Sequence, residues 1–301
     1  MEHVVLNNGF KIPIIGYGTF PQRDSLVANV PIANACGYPM VDTSDNYLNE
    51  EFVGRGLELC QHGMVVVSKF SQPFRTYELE KCFEESERKL GGRIDVYLLH
   101  WPFPYLWKEQ WRRMESLYLN GRCNAIGVCN FDVGYMQDLL QICKVKPAIN
   151  QFEHHPLYQQ KEIVEMCKKH DIQVMAYSPV ARMDKQLHHN EVVRRLAEKY
   201  GKTTSQIILR WNIDTGCIPI PASSSEEHIL ENYDVFNFTL SASEISEINN
   251  NEAGHRIRFN PRTRFSAEQK RSFLKLRIKN EVKKLIGKRG MTIIKKIRMK
   301  S

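Results

Sequence analysis

Apolar positions along this chain fall into short, nearly unbroken runs separated by amphipathic stretches. The runs are IPIIGYGT (12–19), MVDT (40–43), MVVVSKF (64–70), IDVYLLHW (94–101), NAIGVCNF (124–131), PAINQFEHHP (147–156), IQVMAYSP (172–179) and GCIPIPAS (216–223). Several lack strict alternation, the pattern of strands covered on both faces, as in a parallel sheet. The intervening stretches read as helices. In YQQKEIVEMCKKHD (158–171), Ile163, Met166, Cys167 and His170 recur at helical spacing. RTYELEKCFEESERKLG (75–91) reads as another helix, and 190–216 reads as two broken near Gly201. The weakest helix is the first, SLVANVPIANACG (25–37), where Pro31 should start, kink or break it. The opening VLNNGFKI (5–12) reads as a hairpin with an Asn-Gly turn, suited to plugging the bottom of a barrel.

Eight strands alternating with helices over some 250 residues predict an α/β fold, a closed (β/α)8 TIM barrel with an N-terminal β-hairpin. A doubly wound open sheet also alternates strands and helices, but no G-x-G-x-x-G follows any strand.

Composition narrows the setting. Hydrophobic residues make up 42% and charged residues 25%, as in soluble globular proteins. The N-terminal MEHVVLNNGFKIP lacks the apolar run of a signal peptide. No segment approaches the roughly 18 apolar residues of a membrane span. Eight scattered cysteines without a C-x-x-C pair point to a reducing compartment, and the chain is expected to be cytoplasmic.

The net charge of +8 hides an asymmetry. Residues 254–301 carry 17 Lys and Arg against 2 Asp and Glu, while the residues before them carry 25 against 32. The expected organisation is a barrel over 1–265 and a basic, helical extension over 266–301. In the extension Leu274, Ile278, Val282 and Leu285 fall on one helical face among lysines, with breaks expected at Gly287 and Gly290. Such a helix either packs its stripe on the barrel or attaches to an acidic partner or an anionic surface, such as the inner face of a membrane. Its few aromatics disfavour nucleic acid.

A barrel places its site at the carboxyl ends of its strands. Here those ends carry Asp42, Lys69, His100, Asn130, Gln151, Tyr177 and Ser223, each after an apolar run. Singly they have plain structural readings: Asp42 as a helix cap, Lys69 as a rim residue, His100 as a core histidine. Together at one mouth they converge on a common centre. HH at 154–155 lies in a strand, where neighbours point to opposite faces, so it makes a poor ligand pair and no metal site is expected.

These segments resemble the aldo-keto reductase superfamily. NNGFKIPIIGYGTF resembles its opening hairpin and first strand, and VDTSDNYLNEEFVGRGL its D-T-A-x-x-Y-x-N-E segment. VVVSKF, DVYLLHWP, NGRCNAIGVCNF, NQFEHHP, AYSPV and IPASSSEEHILEN follow in the family's order, so that the match spans about residues 5–260. The resemblance implies a barrel that binds NADPH or NADH and reduces an aldehyde or ketone, a small-molecule carbonyl substrate. It assigns catalysis to Asp42, Tyr47, Lys69 and His100. Tyr47 would protonate the carbonyl oxygen. Lys69, held charged by Asp42, would ease loss of that proton from a phenol whose free pKa is about 10. His100 would donate a hydrogen bond toward the substrate oxygen.

The resemblance also places cofactor contacts at Cys129, Asn130, Gln151, Tyr177, Ser223, His228, Glu231 and Asn232. Asn130 and Gln151 would hold the nicotinamide carboxamide and Tyr177 would stack on its ring. Glu231 and Asn232 would bind adenine. Three positions depart from the pattern. Cys129 replaces a serine, and Ala222 and His228 replace the lysine and arginine that grip the 2′-phosphate of NADPH. Charge-assisted bonds of that kind contribute about 1.5–3 kcal/mol each, so selectivity for NADPH is expected to weaken unless a tail arginine substitutes. Phe20, Trp101 and Phe103 are expected to wall the substrate pocket, with RMDKQLHHN (182–190) shaping it further. The altered positions leave room for a second reading, a cofactor-binding redox-sensing or scaffold barrel with little turnover; the intact catalytic set favours the enzyme.

Overall fold

The computed structural model of the chain describes residues 2–298 and, from residue 285 onward, the course of the helix alone. Strands β1 (His3–Val5) and β2 (Lys11–Pro13) form an antiparallel hairpin. Its loop turns at Gly9, whose φ of 86° suits a residue without Cβ. Eight parallel strands follow: β3 (Tyr17–Gly18), β4 (Met40–Asp42), β5 (Val65–Phe70), β6 (Val96–Leu99), β7 (Ala125–Cys129), β8 (Ile149–Glu153), β9 (Gln173–Tyr177) and β10 (Ile218–Pro219), each paired with its sequence neighbour. Gly16 N–H donates to Pro219 O at 3.1 Å and Gly18 N–H to Pro221 O at 2.9 Å, which closes the sheet into a barrel. A Cβ on Gly18 would stand 2.8 Å from the Ile220 carbonyl oxygen, so glycine is required at this seam. The doubly wound alternative is excluded.

Two apolar layers hold the barrel. Inside lie Met40, Val67, Leu98, Ile149, Met175 and Ile220, capped from below by Leu6 and Ile12 of the hairpin. Outside, Val41, Val66, Tyr97, Leu99, Ile126 and Val174 pack against the surrounding helices. Adjacent residues enter different layers because strand side chains alternate with period two. That periodicity also positions the polar mouth. Asp42, Lys69, His100, Gln151, Tyr177 and Ala222 each lie two residues beyond an inward-facing residue of the inner layer.

Several expectations are refined. The run 12–19 is two elements, because the chain leaves the hairpin beneath the barrel before rising as β3. The first helix runs from Leu26 to Cys36 with Pro31 inside it, so the proline neither starts nor ends it. Helices Glu191–Tyr200 and Thr204–Asp214 flank Gly201, which caps the first with a φ of 60°.

The C-terminal extension is one helix, Ala267–Arg298, continuing through Gly287 and Gly290 where breaks were expected. A glycine costs a helix only about 1 kcal/mol. Its docked face also differs from the expected stripe. Phe273 is buried against Phe103, Leu106 and Phe265, with Leu276 beside it, whereas Ile278 and Val282 are exposed. The bulky aromatic wins the contact because it removes more apolar surface from water. The expected stripe residue Leu285 lies outside the residues whose side chains are described.

Candidate active site

At the mouth of the barrel lies a cavity of about 710 Å³. Its floor is built from strand ends. Lys69 Nζ donates to Asp42 Oδ1 at 2.5 Å and to Thr43 O at 2.7 Å, and both side chains are almost wholly shielded from water. Asp42 Oδ2 accepts from Gln151 Nε2 at 2.8 Å. A buried ion pair needs such additional hydrogen bonds to offset desolvation.

Beyond β4 the chain enters a single 3-10 turn, Asp45–Tyr47, capped by the Ser44 hydroxyl, which accepts the Asn46 N–H. This turn sets Tyr47 over the pair, with Lys69 Nζ 5.1 Å from its ring centroid. The ring also packs on His100 at 5.6 Å and Phe20 at 5.0 Å. The Nδ1 atom of His100 meets the Ser44 hydroxyl at 3.0 Å and the Ser71 hydroxyl as well. Nε2 has no hydrogen-bonding partner among the described residues, and His100 lines the cavity.

Burial pulls the Lys69 amine down, but Asp42, then Tyr47 and Cys129, outweigh it, and the group ends above its ordinary value as a secure ammonium. Burial pushes the Tyr47 hydroxyl up to about 12, against the pull of Lys69. The expected acidifying influence of the lysine is therefore present but does not prevail over desolvation. The phenol stays protonated across neutral pH, as a proton donor must. Burial, helped by Lys69, Arg264 and Arg258, holds His100 well below the usual imidazole range, so the ring is neutral.

The remaining predicted residues divide into two groups. Asn130, Tyr177, Ser223, His228, Glu231, Asn232, Phe20 and Trp101 line the cavity, as does Ala222. The Tyr177 hydroxyl donates to Asn130 Oδ1 at 2.8 Å, and Asn130 Nδ2 to His100 O at 3.0 Å. Asn130 takes a left-handed φ of 63°, which asparagine tolerates better than most residues. Cys129, Gln151 and Phe103 are not in the wall. Cys129 is fully buried beside Lys69 and Asp42. Gln151 lies under the floor, its amide donating to Asp42 and to Met175 Sδ, while its side-chain oxygen takes no hydrogen bond from a described residue. Phe103 stands behind the wall in the aromatic cluster with Phe265 and Phe273. Of the loop expected to shape the pocket, Arg182 and Met183 reach it. His154 and His155 have separate partners, Asn212 and Glu153, and no metal-binding group of three or more His, Cys, Asp or Glu occurs among the described residues.

Sequence reasoning did not single out two sets of residues. Ser44, Asp45 and Ser71 form a buried cluster behind His100, in which the Asp45 carboxylate accepts the Ser71 N–H at 3.1 Å. Burial pushes Asp45 up to about 7, against its hydrogen bonds from Ser71 and Ser44. Only the extra hydroxyls of VDTSD signalled it. The second set is Arg258, Phe259 and Arg264 on the rim. Its signal is the mixture of cations and aromatics in HRIRFNPRTRF, which a charge count merges with the basic residues that follow.

The cavity suits a nicotinamide dinucleotide. It reaches from Tyr47 and His100, past the ring of Tyr177, to Ser223, His228 and Asn232. Asn232 is buried in its wall, and its side chain makes no hydrogen bond to a described residue. Its amide is therefore open toward the cavity and available to a ligand.

Comparison with known proteins agrees with this geometry. The model of the aldo/keto reductase family matches residues 14–252. The chain is similar to a glyoxal reductase of Bacillus subtilis (strain 168), 38% identical over 86% of this chain and 96% of the relative. It is also similar to the methylglyoxal reductase DkgA of Escherichia coli (strain K12), 34% identical over 84% of this chain and 94% of the relative. Among solved structures, an aldo-keto reductase from a Medee basin deep-sea metagenome library superposes with a TM-score of 0.84 at 35% identity, over 87% of this chain and all of that one. A Bombyx mori aldo-keto reductase in complex with NADP superposes at 0.80 and 31% identity, over 86% of this chain and 95% of that one.

Proposed function

The chain belongs to the aldo/keto reductase family, and from that premise we propose that Tyr47, Lys69, Asp42 and His100 carry its reduction of aldehydes or ketones to alcohols. The bound nicotinamide cofactor supplies the hydride to the carbonyl carbon. The Tyr47 hydroxyl gives its proton to the carbonyl oxygen, and the product is the alcohol. Lys69, fixed as a cation by Asp42, stabilises the phenolate left behind. In the tautomer whose Nδ1 accepts from a serine hydroxyl, neutral His100 carries its proton on Nε2 and donates it as a hydrogen bond to the substrate oxygen. Asn130 would hold the carboxamide, with Gln151 bracing the floor beneath it through Asp42 rather than touching the cofactor, and Tyr177 would stack on the nicotinamide ring. Cys129 would loosen this end slightly, since a thiol is a weak hydrogen-bond partner. Glu231 and Asn232 would receive adenine.

The observation that carries this reading is the convergence of a buried, fully bonded Asp42–Lys69 pair, Tyr47 above it and an unengaged His100 Nε2 in one cavity. Its test is steady-state turnover of a panel of aldehydes and ketones with each cofactor, beside Tyr47→Phe. General acid catalysis contributes about 10²- to 10⁴-fold, so kcat should fall by that much. The same negligible rate in both proteins would favour the cofactor-binding, non-enzymatic alternative. The names of the two curated relatives make small dicarbonyls the first compounds for the panel.

NADH should compete well with NADPH, because Ala222 and His228 stand in the cavity where cations would grip a 2′-phosphate. The tail arginines that reach the cavity are Arg258 and Arg264, and their aromatic contacts, Phe20 and Trp101, belong to the Tyr47–His100 end. Dissociation constants for both cofactors decide this point; NADPH binding a hundredfold tighter would refute it. We place the reaction in the cytoplasm, a reducing setting compatible with eight free cysteines. No helix among the described residues is long and apolar enough to cross a membrane. Exposed Ile278 and Val282 on the basic helix keep peripheral attachment to an anionic surface testable, by co-sedimentation with anionic liposomes with and without residues 266–301.

A further inference from the structure

One irregular segment on the rim of the cavity brings two guanidinium groups to it without an acid. Arg258 lies over the Phe20 ring at 5.3 Å, and Phe20 packs on Tyr47. Arg264 lies over the Trp101 ring at 4.1 Å, and Trp101 stacks on His100. Each cation therefore stands one aromatic ring away from one of the two hydrogen-bond donors that would meet the carbonyl oxygen. Both are half-buried in the cavity wall, and neither guanidinium makes an ion pair or hydrogen bond with a described residue.

The cavity's own carboxylates do not supply a partner. Asp42 is engaged with Lys69 and Gln151, and Glu231 accepts from Thr203. Elsewhere arginines do find acids, as Arg75 with Glu85, Arg113 with Glu80 and Arg210 with Asp214. Burial, and then the nearby Arg258, lower the pKa of Arg264, with Tyr177 opposing, so the pair is desolvated and mutually repulsive.

The segment bearing them is fastened where it lies. The buried Glu153 carboxylate accepts the N–H groups of Ile257 at 2.6 Å and Arg258 at 2.9 Å. Arg262 pairs with Asp132 at 2.5 Å, and Phe265 is buried in the cluster with Phe103 and Phe273. The fold thus anchors both sides of the segment while leaving two cations aimed at the substrate end. Guanidinium groups match carboxylate geometry, and a fixed, partly dehydrated pair binds an anion more strongly than a mobile surface cation does.

Resting on the reductase reading, we infer that Arg258 and Arg264 form an anion subsite that selects carbonyl substrates bearing a carboxylate about one ring's width from the reacting carbonyl. The neutral aldehyde is the poorer substrate, and the discrimination lies mainly in KM, because the anion contact is made before and during the reaction alike.

The test compares 4-carboxybenzaldehyde with its neutral near-isostere 4-formylbenzamide. In the unaltered enzyme kcat/KM should favour the carboxylate by at least about tenfold. The ratio should collapse toward one in Arg258→Met and Arg264→Met, and Arg264→Lys should recover part of it. Because a variant can lose activity for other reasons, the ratio is also followed in the unaltered enzyme as ionic strength rises from about 0.05 M to about 0.5 M, where screening should lower it. Turnover of both aldehydes with equal kcat/KM, or a ratio indifferent to the substitutions and to salt, overturns the subsite alone. A rise in KM for NADPH with an unchanged aldehyde ratio assigns the arginines to the cofactor and also overturns it. No turnover of any aldehyde defeats the reductase reading itself.

Discussion

The floor of the cavity and its rim are built in opposite ways. Asp42 and Lys69 emerge from adjacent strands, and their charges are neutralised within the floor by each other, Thr43 and Gln151. The rim segment around residues 256–265 has no helix or strand, is tied down by Glu153, Asp132 and an aromatic cluster, and turns two unneutralised cations, Arg258 and Arg264, to the cavity. A lattice of strands fixes groups closely enough for proton transfer, whereas an irregular segment can change its side chains without moving the chemistry. The contrast implies that damage to the floor removes turnover and stability together, while damage to the rim changes which substrates and how tightly.

The severest break is Lys69→Met. It leaves Asp42 buried without its cation, which should destabilise the fold by about 3–5 kcal/mol and abolish most turnover. Denaturant unfolding and steady-state kinetics report the two losses. A variant with normal stability would mean that the floor is not the rigid element described.

Asp45, beneath His100, sharpens the comparison through pH. Its folded pKa of about 7 lies above the ordinary carboxylate value of 3.8. Its contribution to stability is therefore complete below about pH 4 and is lost as pH rises through 7, amounting to a few kcal/mol at most. Asp45→Asn should remove that decline, so the unfolding free energies of variant and unaltered protein should diverge in the variant's favour between about pH 4 and 8. Parallel curves would show that the carboxyl ionises normally.

On the rim, Phe273→Ala should cost about 3 kcal/mol by opening a void against Phe103 and Phe265. It should raise KM for the aldehyde more than it lowers kcat. A selective fall in kcat would erase the distinction between rim and floor. The mildest change lies at the far end of the cavity. Ala222→Lys with His228→Arg should tighten NADPH relative to NADH by about 10- to 100-fold per restored cation, with little effect on thermal stability. Equal affinities in the variant would place the 2′-phosphate elsewhere.

The amino-acid order by itself determined the eight strands, the polar residue at the end of each and the convergence of Asp42, Lys69 and His100, because period-two alternation turns a linear spacing into a common inward face. The hairpin at the barrel bottom was legible for a similar reason, an Asn-Gly turn between apolar residues. The tertiary structure alone decided what depends on residues far apart in the chain. Phe103 was drawn away from the wall by Phe265 and Phe273, and Phe273 rather than Ile278 became the docked side chain of the last helix. Gln151 turned beneath the floor to Asp42, and the net shift on Tyr47 followed burial more than its neighbouring cation. Arg258 and Arg264 were visible as charge but not as a site. Their place at the mouth follows from Glu153 and Asp132, more than a hundred residues earlier, and desolvation and long-range anchoring leave no local period to read.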